Sequence, residues 1–371
     1  MLFSAAGGHG HLQPLLPLAE QAARVGHEVL VTGAASLAAH VSARGLPFAP
    51  TGPNLEPIHA PLVVHDLDKE RRAIADYFVA RLGRARAGAV LDLCLSWRPH
   101  VVVRDEVDFG ASVAAEAAGV PQARVIVIGA GRFILPEIVL GPLERLASEF
   151  GVDAFERVAA HDRHLTLTPF PASFRHPADP LLGQVVAYHV PAPPRTSPER
   201  DGRTVFVTLG TIFNTESGDL LRTAALGAAG CSSVERVFVA TGEHFDADSL
   251  GRLPQNVSVL RFVEQEAFLA KCDAVISHAG SGTVLGALKQ ALPSVNLPMG
   301  ADQQLNADRL ETLRLGKSLR ADTATIEDVR QAIAEILGSH PMRRRLESMR
   351  DEILATPGPD QAVQALTDLA T

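Results

Sequence analysis

The sequence predicts an α/β protein made of two successive doubly wound parallel sheets. Short apolar runs alternate with helical patterns along most of the chain, as βαβ units do. The runs 101–103 and 125–128 are continuously apolar, the pattern of strands covered by helices on both faces. The alternation breaks once, across 190–203, where Pro191, Pro193, Pro194 and Pro198 preclude a regular element, and then restarts. A length of 371 residues suits two domains of about 150 residues each.

The first half opens on a very short strand that reads as clipped, since only three residues precede Ser4. A turn with Gly7, Gly8 and Gly10 follows. Leu12, Leu15, Leu16, Leu18 and Ala19 then recur at helical spacing, and a second strand is expected over 28–32. A helix over 111–118 joins the two apolar strands. In the second half, strands are expected over 204–208, 237–241, 257–260, 274–277 and 294–297, with helices over 220–229 and 283–291. The tail carries helical patterns around Ile353 and over 363–369. This gives a first domain over 1–190, a linker over 191–203, a second domain over 204–345 and a helical segment over 346–371. No fixed-period repeat is visible, which argues against solenoids and propellers.

Hydrophobic residues are 46% and charged residues 20%, the composition of a globular chain with a self-sufficient core. A formal net charge of −8 and a pI near 6.0 argue against nucleic acid as the main partner. The one compact basic run, Arg343 to Arg345, reads as a solvated helix face. Cys94, Cys231 and Cys272 are odd in number and contain no CxxC pair, so neither a disulfide framework nor a zinc ribbon is expected. The N-terminal stretch shows no signal-peptide pattern. The apolar stretch 125–140 contains Arg132 and Glu137, so no stable membrane association is expected. Four lysines against 30 arginines point to a GC-rich bacterial genome, and the expected location is the bacterial cytoplasm.

In open α/β sheets, ligands bind beyond the carboxyl ends of strands. Four such ends carry chemistry here. The first is the turn Gly7 to Pro14. A dinucleotide site would place an acid at the end of the second strand, where this chain has Val31, Thr32 and Gly33, and GxGxxG is absent. A nicotinamide dehydrogenase is therefore disfavoured, leaving His11 as a candidate general base at neutral pH, with His9 two residues away. The second end is Arg104-Asp105-Glu106, where an acid can fix the tautomer of an imidazole; Asp105, Glu106 or Asp108 would serve, and a surface ion pair with Arg104 is the plainer alternative.

The third is Ser277-His278-Ala279-Gly280-Ser281-Gly282-Thr283 at the head of a helix. Backbone amides, the Ser281 and Thr283 hydroxyls and the helix dipole make an anion cradle suited to a diphosphate, and Gly210 and Thr211 would add donors. The fourth is Asp302-Gln303, suited to sugar hydroxyls because Asp accepts and Gln both accepts and donates. Asp66/Asp68 and Asp246/Asp248 are the nearest carboxylate pairs. Neither follows a strand, so no metal is expected.

Together, Gly10-His11-Leu12-Gln13-Pro14, Phe262-Val263-Glu264-Gln265, His278 to Thr283 and Asp302 to Ala307 resemble the nucleotide-sugar glycosyltransferases of the GT-B fold, family 1. The nearest flavour is the bacterial branch that decorates antibiotic and other natural-product aglycones. The resemblance implies two Rossmann-like domains facing across a cleft, an N-terminal acceptor-binding domain, a C-terminal nucleotide-sugar-binding domain and a last helix returning to the N-terminal one. By the same resemblance, His11 is the general base and Asp105 orients it. Phe262 stacks on the donor base and the Val263 backbone reads its edge. His278, Gly280, Ser281, Gly282 and Thr283 hold the diphosphate, and Asp302 and Gln303 hold the sugar. Glu264 stands where the family usually has proline, and Phe262 where tryptophan is commoner.

The activity so implied is inverting, metal-independent transfer of a sugar, from a dTDP-deoxysugar in the antibiotic branch, to a hydroxyl of a hydrophobic aglycone. No cofactor is needed beyond the donor substrate. The acceptor would be lined by 57–78 and 129–140, with Phe78, Phe133 and Leu135 foremost, although these residues would equally serve as core. A carbon-linked product, a sugar-nucleotide 2-epimerase, a lipid-acceptor transferase and a non-catalytic nucleotide-sugar-binding auxiliary protein are the alternatives. The expected partners are small molecules, and a homodimer is compatible with the sequence.

Overall fold

The computed structural model describes residues 1–54, 66–152, 164–195, 202–210, 217–242, 245–261 and 263–370. The chain divides into two compact units. Among the described residues, the first is built on 1–54, 68–190 and 356–370, the second on 66–67 and 191–355.

The sheet of the first unit holds β1 (Leu2–Ser4), β2 (Leu30–Gly33), β3 (Phe48–Pro50), β4 (Val102–Asp105), β5 (Gln122–Val125), β6 (Leu165–Thr168) and β7 (Val185–Ala187). They run parallel in the order β3-β2-β1-β4-β5-β6-β7, so the strand order reverses between β1 and β4. Adjacent residues face opposite layers, and both layers are apolar. Leu2 and Val102 pack with Val90, Cys94, Ala111 and Ala115 on one side. Phe3 and Val103 pack with Leu15, Ala19, Val363 and Leu366 on the other. That two-sided burial is why these strands read as unbroken apolar runs.

The run 125–128 was expected to be a strand, but β5 ends at Val125. Beyond it the amides of Val127 and Ile128 donate to Glu106 Oε1, at 2.7 and 2.5 Å, and so leave the ladder. The tail divides as well. Helix His340–Ala355 stays with the second unit, and helix Pro359–Leu369 packs on helix Leu16–Arg24 and beside β6 and β7 in the first. Hydrogen bonds from the His189 amide to Pro357 O, 2.8 Å, and between Thr367 Oγ1 and His27 Nε2, 3.1 Å, fix it there.

A buried ionic network, not anticipated from sequence, underlies the β1 and β4 ends. Arg86 is 1% exposed and Asp108 0%. Arg86 Nη2 donates to Asp108 Oδ2 and to Ser4 Oγ, both at 2.8 Å, and Nη1 to Thr51 O at 2.9 Å. Ser4 Oγ also donates to Asp108 Oδ2, and the Ala111 amide to Oδ1, capping helix Phe109–Ala117. Burial alone would raise the Asp108 pKa, but Arg86 and these hydrogen bonds outweigh it and hold the carboxyl below its usual range. Removing one partner leaves a buried charge uncompensated, so Arg86→Met is expected to cost about 3–5 kcal/mol in urea unfolding. Adding Asp108→Asn should then cost less than its separate effect.

The second sheet holds β8 (Arg203–Thr208), β9 (Val234–Ala240), β10 (Val257–Leu260), β11 (Ala274–Ser277), β12 (Ser294–Asn296) and β13 (Gly316–Ser318). All pairs are parallel, in the order β10-β9-β8-β11-β12-β13, with the reversal between β8 and β11. Phe206, Leu269, Cys272, Val275, Ala287 and Leu292 form a core on one face. The register Ser277 to Thr208 brings the loops after β8 and β11 level. Among the described residues, no helix is long and apolar enough to cross a membrane.

Candidate active site

Each sheet carries polar loops at the point where its strand order reverses, the crevice where open α/β sheets bind ligands. In the first unit these are the turn after β1 with the short helix His9–Leu12, which carries His11, and the end of β4, which is Asp105. The Asp105 carboxylate is fully buried and fixed by backbone amides, Ala6 N to Oδ2 at 2.7 Å and Val107 N to Oδ1 at 2.8 Å. His11 Nδ1 lies 3.5 Å from Oδ1, with the ring side chain 23% exposed. Nδ1 thus faces the carboxylate, and Nε2 is on the far side of the ring from it.

Two further contacts set the ring plane. A Cβ on Gly7 would fall within the imidazole, so the glycine is required by close approach. Phe78 stacks on His11 with centroids 5.9 Å apart and planes at 18°. Phe78 belongs to Ile74–Gly83, a stretch of wide π-helical turns, a conformation found often at functional sites. This residue was singled out in the sequence only as acceptor lining.

The structure also separates the alternatives that sequence left open. His9 is exposed and packs edge-on against His40, with centroids 4.9 Å apart, while His11 faces Asp105. Glu106 is engaged by the amides of Val127 and Ile128, and burial raises its pKa against the pull of Arg175 and those amides. Asp108 belongs to Arg86. Arg104 makes no surface ion pair: it is buried and donates to Gln122 Oε1 at 2.9 Å. Phe133 is buried and Leu135 half-buried, both on the loop between β5 and helix Pro136–Glu149.

In the second unit the cradle forms the head of helix Ser281–Lys289, two residues earlier than the 283 start read from the sequence. Gly280 is its N-cap and, as a glycine, supplies no side-chain cap. His278 sits between two glycines. A Cβ on Gly210 would lie 2.7 Å from its Cε1, and one on Gly280 would collide with its Nε2. Gly210 is also at φ +79°, a conformation that only glycine adopts without strain.

Thr283 Oγ1 donates to Gln265 Oε1 at 3.0 Å. Ser281 Oγ donates to Asp302 Oδ2 at 2.7 Å, and Asn306 Nδ2 reaches Ala279 O, Ser281 Oγ and Asp302 Oδ2 at 3.0, 3.0 and 2.8 Å. Asn306 thus ties the cradle to the Asp302 turn, a role that its sequence position alone did not disclose. Ala279 at φ 62° and Ala301 at φ 52° hold both turns in the left-handed region, local strain of the kind concentrated at functional sites. Gln303 is 2% exposed and its Oε1 accepts the amides of Met299 and Gly300, at 2.8 and 3.1 Å. Val263 is partly buried against the core. Thr211 and Phe262 lie outside the described residues.

Burial pushes the His278 pKa down to about 4, against a smaller upward pull from the Thr208 backbone, so the ring is neutral at pH 7. An imidazole with a folded pKa below its unfolded value makes the unfolded state bind more protons between the two. Stability should therefore fall as pH drops from about 6.5 toward about 4, by on the order of 3 kcal/mol from this group. Urea titrations at pH 7 and 4.5 should show that loss diminished in His278→Gln.

Residues 226–369 match the family described as erythromycin biosynthesis protein CIII-like, C-terminal domain. Over its whole length the chain is 27% identical to the 3-alpha-mycarosylerythronolide B desosaminyl transferase of Saccharopolyspora erythraea, covering 98% of that protein. It is 25% identical over its whole length to a TDP-daunosamine transferase of Streptomyces peucetius, covering 96% of it. Among solved structures, a calicheamicin glycosyltransferase superposes with a TM-score of 0.80 at 25% identity, over 99% of this chain and 98% of that one. The resemblance to the family 1, GT-B enzymes of the antibiotic branch is borne out.

Proposed function

We propose that this chain, a glycosyltransferase of the GT-B fold, catalyses inverting transfer of a deoxysugar from a thymidine diphosphate carrier to a hydroxyl of a hydrophobic natural-product aglycone. The single observation that carries the reading is the His11–Asp105 pair at the β1/β4 reversal, with the imidazole clamped between Gly7 and Phe78. His11 Nε2 takes the acceptor proton as the acceptor oxygen bonds to the anomeric carbon, and the bond from that carbon to the diphosphate oxygen breaks. The nucleoside diphosphate leaves with the bonding pair. Asp105, held by two amides, stabilises the imidazolium that results.

The developing charge on the diphosphate is met by the first-turn amides of helix Ser281–Lys289 and a neutral His278, donors already oriented before reaction. Asp302 and Gln303 hold the sugar. The thymidine carrier is supported by the similarity to the TDP-daunosamine transferase, and transfer of a sugar by the similarity to the desosaminyl transferase. Phe78 supplies an apolar surface beside the base, in keeping with a hydrophobic acceptor.

The test is mass spectrometry of the purified chain with a panel of nucleotide sugars and polyketide aglycones, with and without EDTA. The reading predicts a glycoside of inverted anomeric configuration formed from a thymidine diphosphate sugar, at a rate that EDTA leaves unchanged. Retained anomeric configuration or release of free sugar alone would contradict it.

A further inference from the structure

A second concave site lies at the opposite end of the second sheet from the cradle, and it is charged the wrong way for an acidic chain. A cavity of about 270 Å³ is lined by Arg195, Arg203, Asp273, Arg343, Glu347 and Arg350, with Pro293 and Ile336 in its wall. These residues come from separate elements. Arg195 precedes the sheet, Arg203 begins β8, Asp273 immediately precedes β11 and Pro293 precedes β12. Arg343, Glu347 and Arg350 share one face of helix His340–Ala355, at positions i, i+4 and i+7.

Four guanidiniums thus line the cavity with two carboxylates, in a protein whose formal net charge is −8, and Arg350 also pairs with Asp351 beside it, Nη2 to Oδ1 at 3.1 Å. Asp273 is already engaged. Its Oδ2 accepts the Thr204 amide at 2.9 Å, and its Oδ1 lies 3.3 Å from Arg203 Nη1 and 3.8 Å from Arg195 Nη2. Arg195 is held in place by donating to Gln290 O at 3.1 Å and Cys272 O at 3.0 Å. Burial, Arg350 and Arg343 all act against its charge, while Asp273 and Cys272 favour it. Clustered guanidiniums that outnumber the carboxylates beside them favour a bound anion, which offsets their mutual repulsion.

We propose that this arginine-lined cavity is a binding site for a small phosphorylated molecule, separate from the diphosphate cradle. Guanidinium forks match phosphate oxygens in geometry as well as charge, which favours a phosphate over a carboxylate. The volume lies just below the range of small-molecule pockets, which suits a phosphate with a small organic part against Pro293 and Ile336. The site does not depend on the donor reading of the cradle. It draws a role from Arg343, which in sequence looked like part of a solvated helix face.

The experiment is calorimetric titration of the full chain with inorganic phosphate at constant ionic strength, in three forms. The unmodified protein is expected to bind saturably. The double variant Arg343→Gln/Arg350→Gln should bind at least about tenfold more weakly, as loss of charge-assisted hydrogen bonds requires. Arg344→Gln/Arg345→Gln, which removes as much charge from exposed positions outside the cavity, should bind as the unmodified chain does. Hydrogen exchange on the unmodified protein should show phosphate-dependent protection within 340–350, a readout that needs no variant to fold. No saturable binding, equal weakening in both double variants, or protection confined to 278–284 would overturn the proposal.

Discussion

Replacing His11 by alanine is expected to lower the transfer rate by about 10²–10⁴, the usual contribution of a positioned general base. The affinity for nucleoside diphosphate should stay unchanged, because the cradle belongs to the second unit and His11 to the first. Asp105→Asn should give a loss in the same direction, since the neutral amide cannot stabilise an imidazolium. His9→Ala should leave the rate within a few-fold, as that ring packs on His40 and not on the carboxylate. Initial rates by product mass spectrometry, with circular dichroism as a check on folding, separate these outcomes. Equal rates for His11→Ala and the unmodified chain would remove this residue from the mechanism.

The second large effect belongs to the cradle. Gly280→Ala places a methyl group against His278 Nε2 at the N-cap of the helix that carries the amide donors. On its other side the imidazole packs close to the Gly210 backbone, where an added Cβ would lie 2.7 Å from Cε1, so it has little room to move aside. The turn must shift, and the donors with it. Misplacing several oriented donors at once is expected to weaken nucleoside diphosphate binding by at least about tenfold. Gly338→Ala is the control, because it lies outside the cradle and no atom lies within 4 Å of a Cβ at that position. Isothermal titration with thymidine diphosphate distinguishes the two.

The positions of both loops were readable in the sequence because glycines after apolar strands and helical periodicity are local signals. Sequence reading placed His11, Asp105, His278 and Asp302 at strand ends, and the sheet orders put the first three at the two reversals, with Asp302 after the neighbouring β12. What it could not deliver depends on contacts between distant residues. His9 and His11 are equivalent as letters, yet two residues along a helical turn point to different sides, and only the fold shows that the second one faces Asp105. Arg86 reads as one of 30 arginines until Asp108 and Ser4 surround it.

Boundaries moved for similar reasons. The apolar run 125–128 looks like a strand, but the carboxylate of Glu106, some 20 residues earlier, captures two of its amides. The expected helix start at Thr283 overlooked that Gly280 is the N-cap and that Ser281 already begins the helix. Asn306 was visible only as part of a motif. Its function as the tie between the cradle and the Asp302 turn emerges from three hydrogen bonds spanning residues 279 to 306.

A crystal structure with a bound thymidine diphosphate sugar tests the central claim most directly. The account predicts phosphate oxygens within about 3 Å of backbone amides among Ser281, Gly282 and Thr283, with the sugar at Asp302 and Gln303. A diphosphate bound elsewhere, with this helix head making no contact to it, would contradict the account.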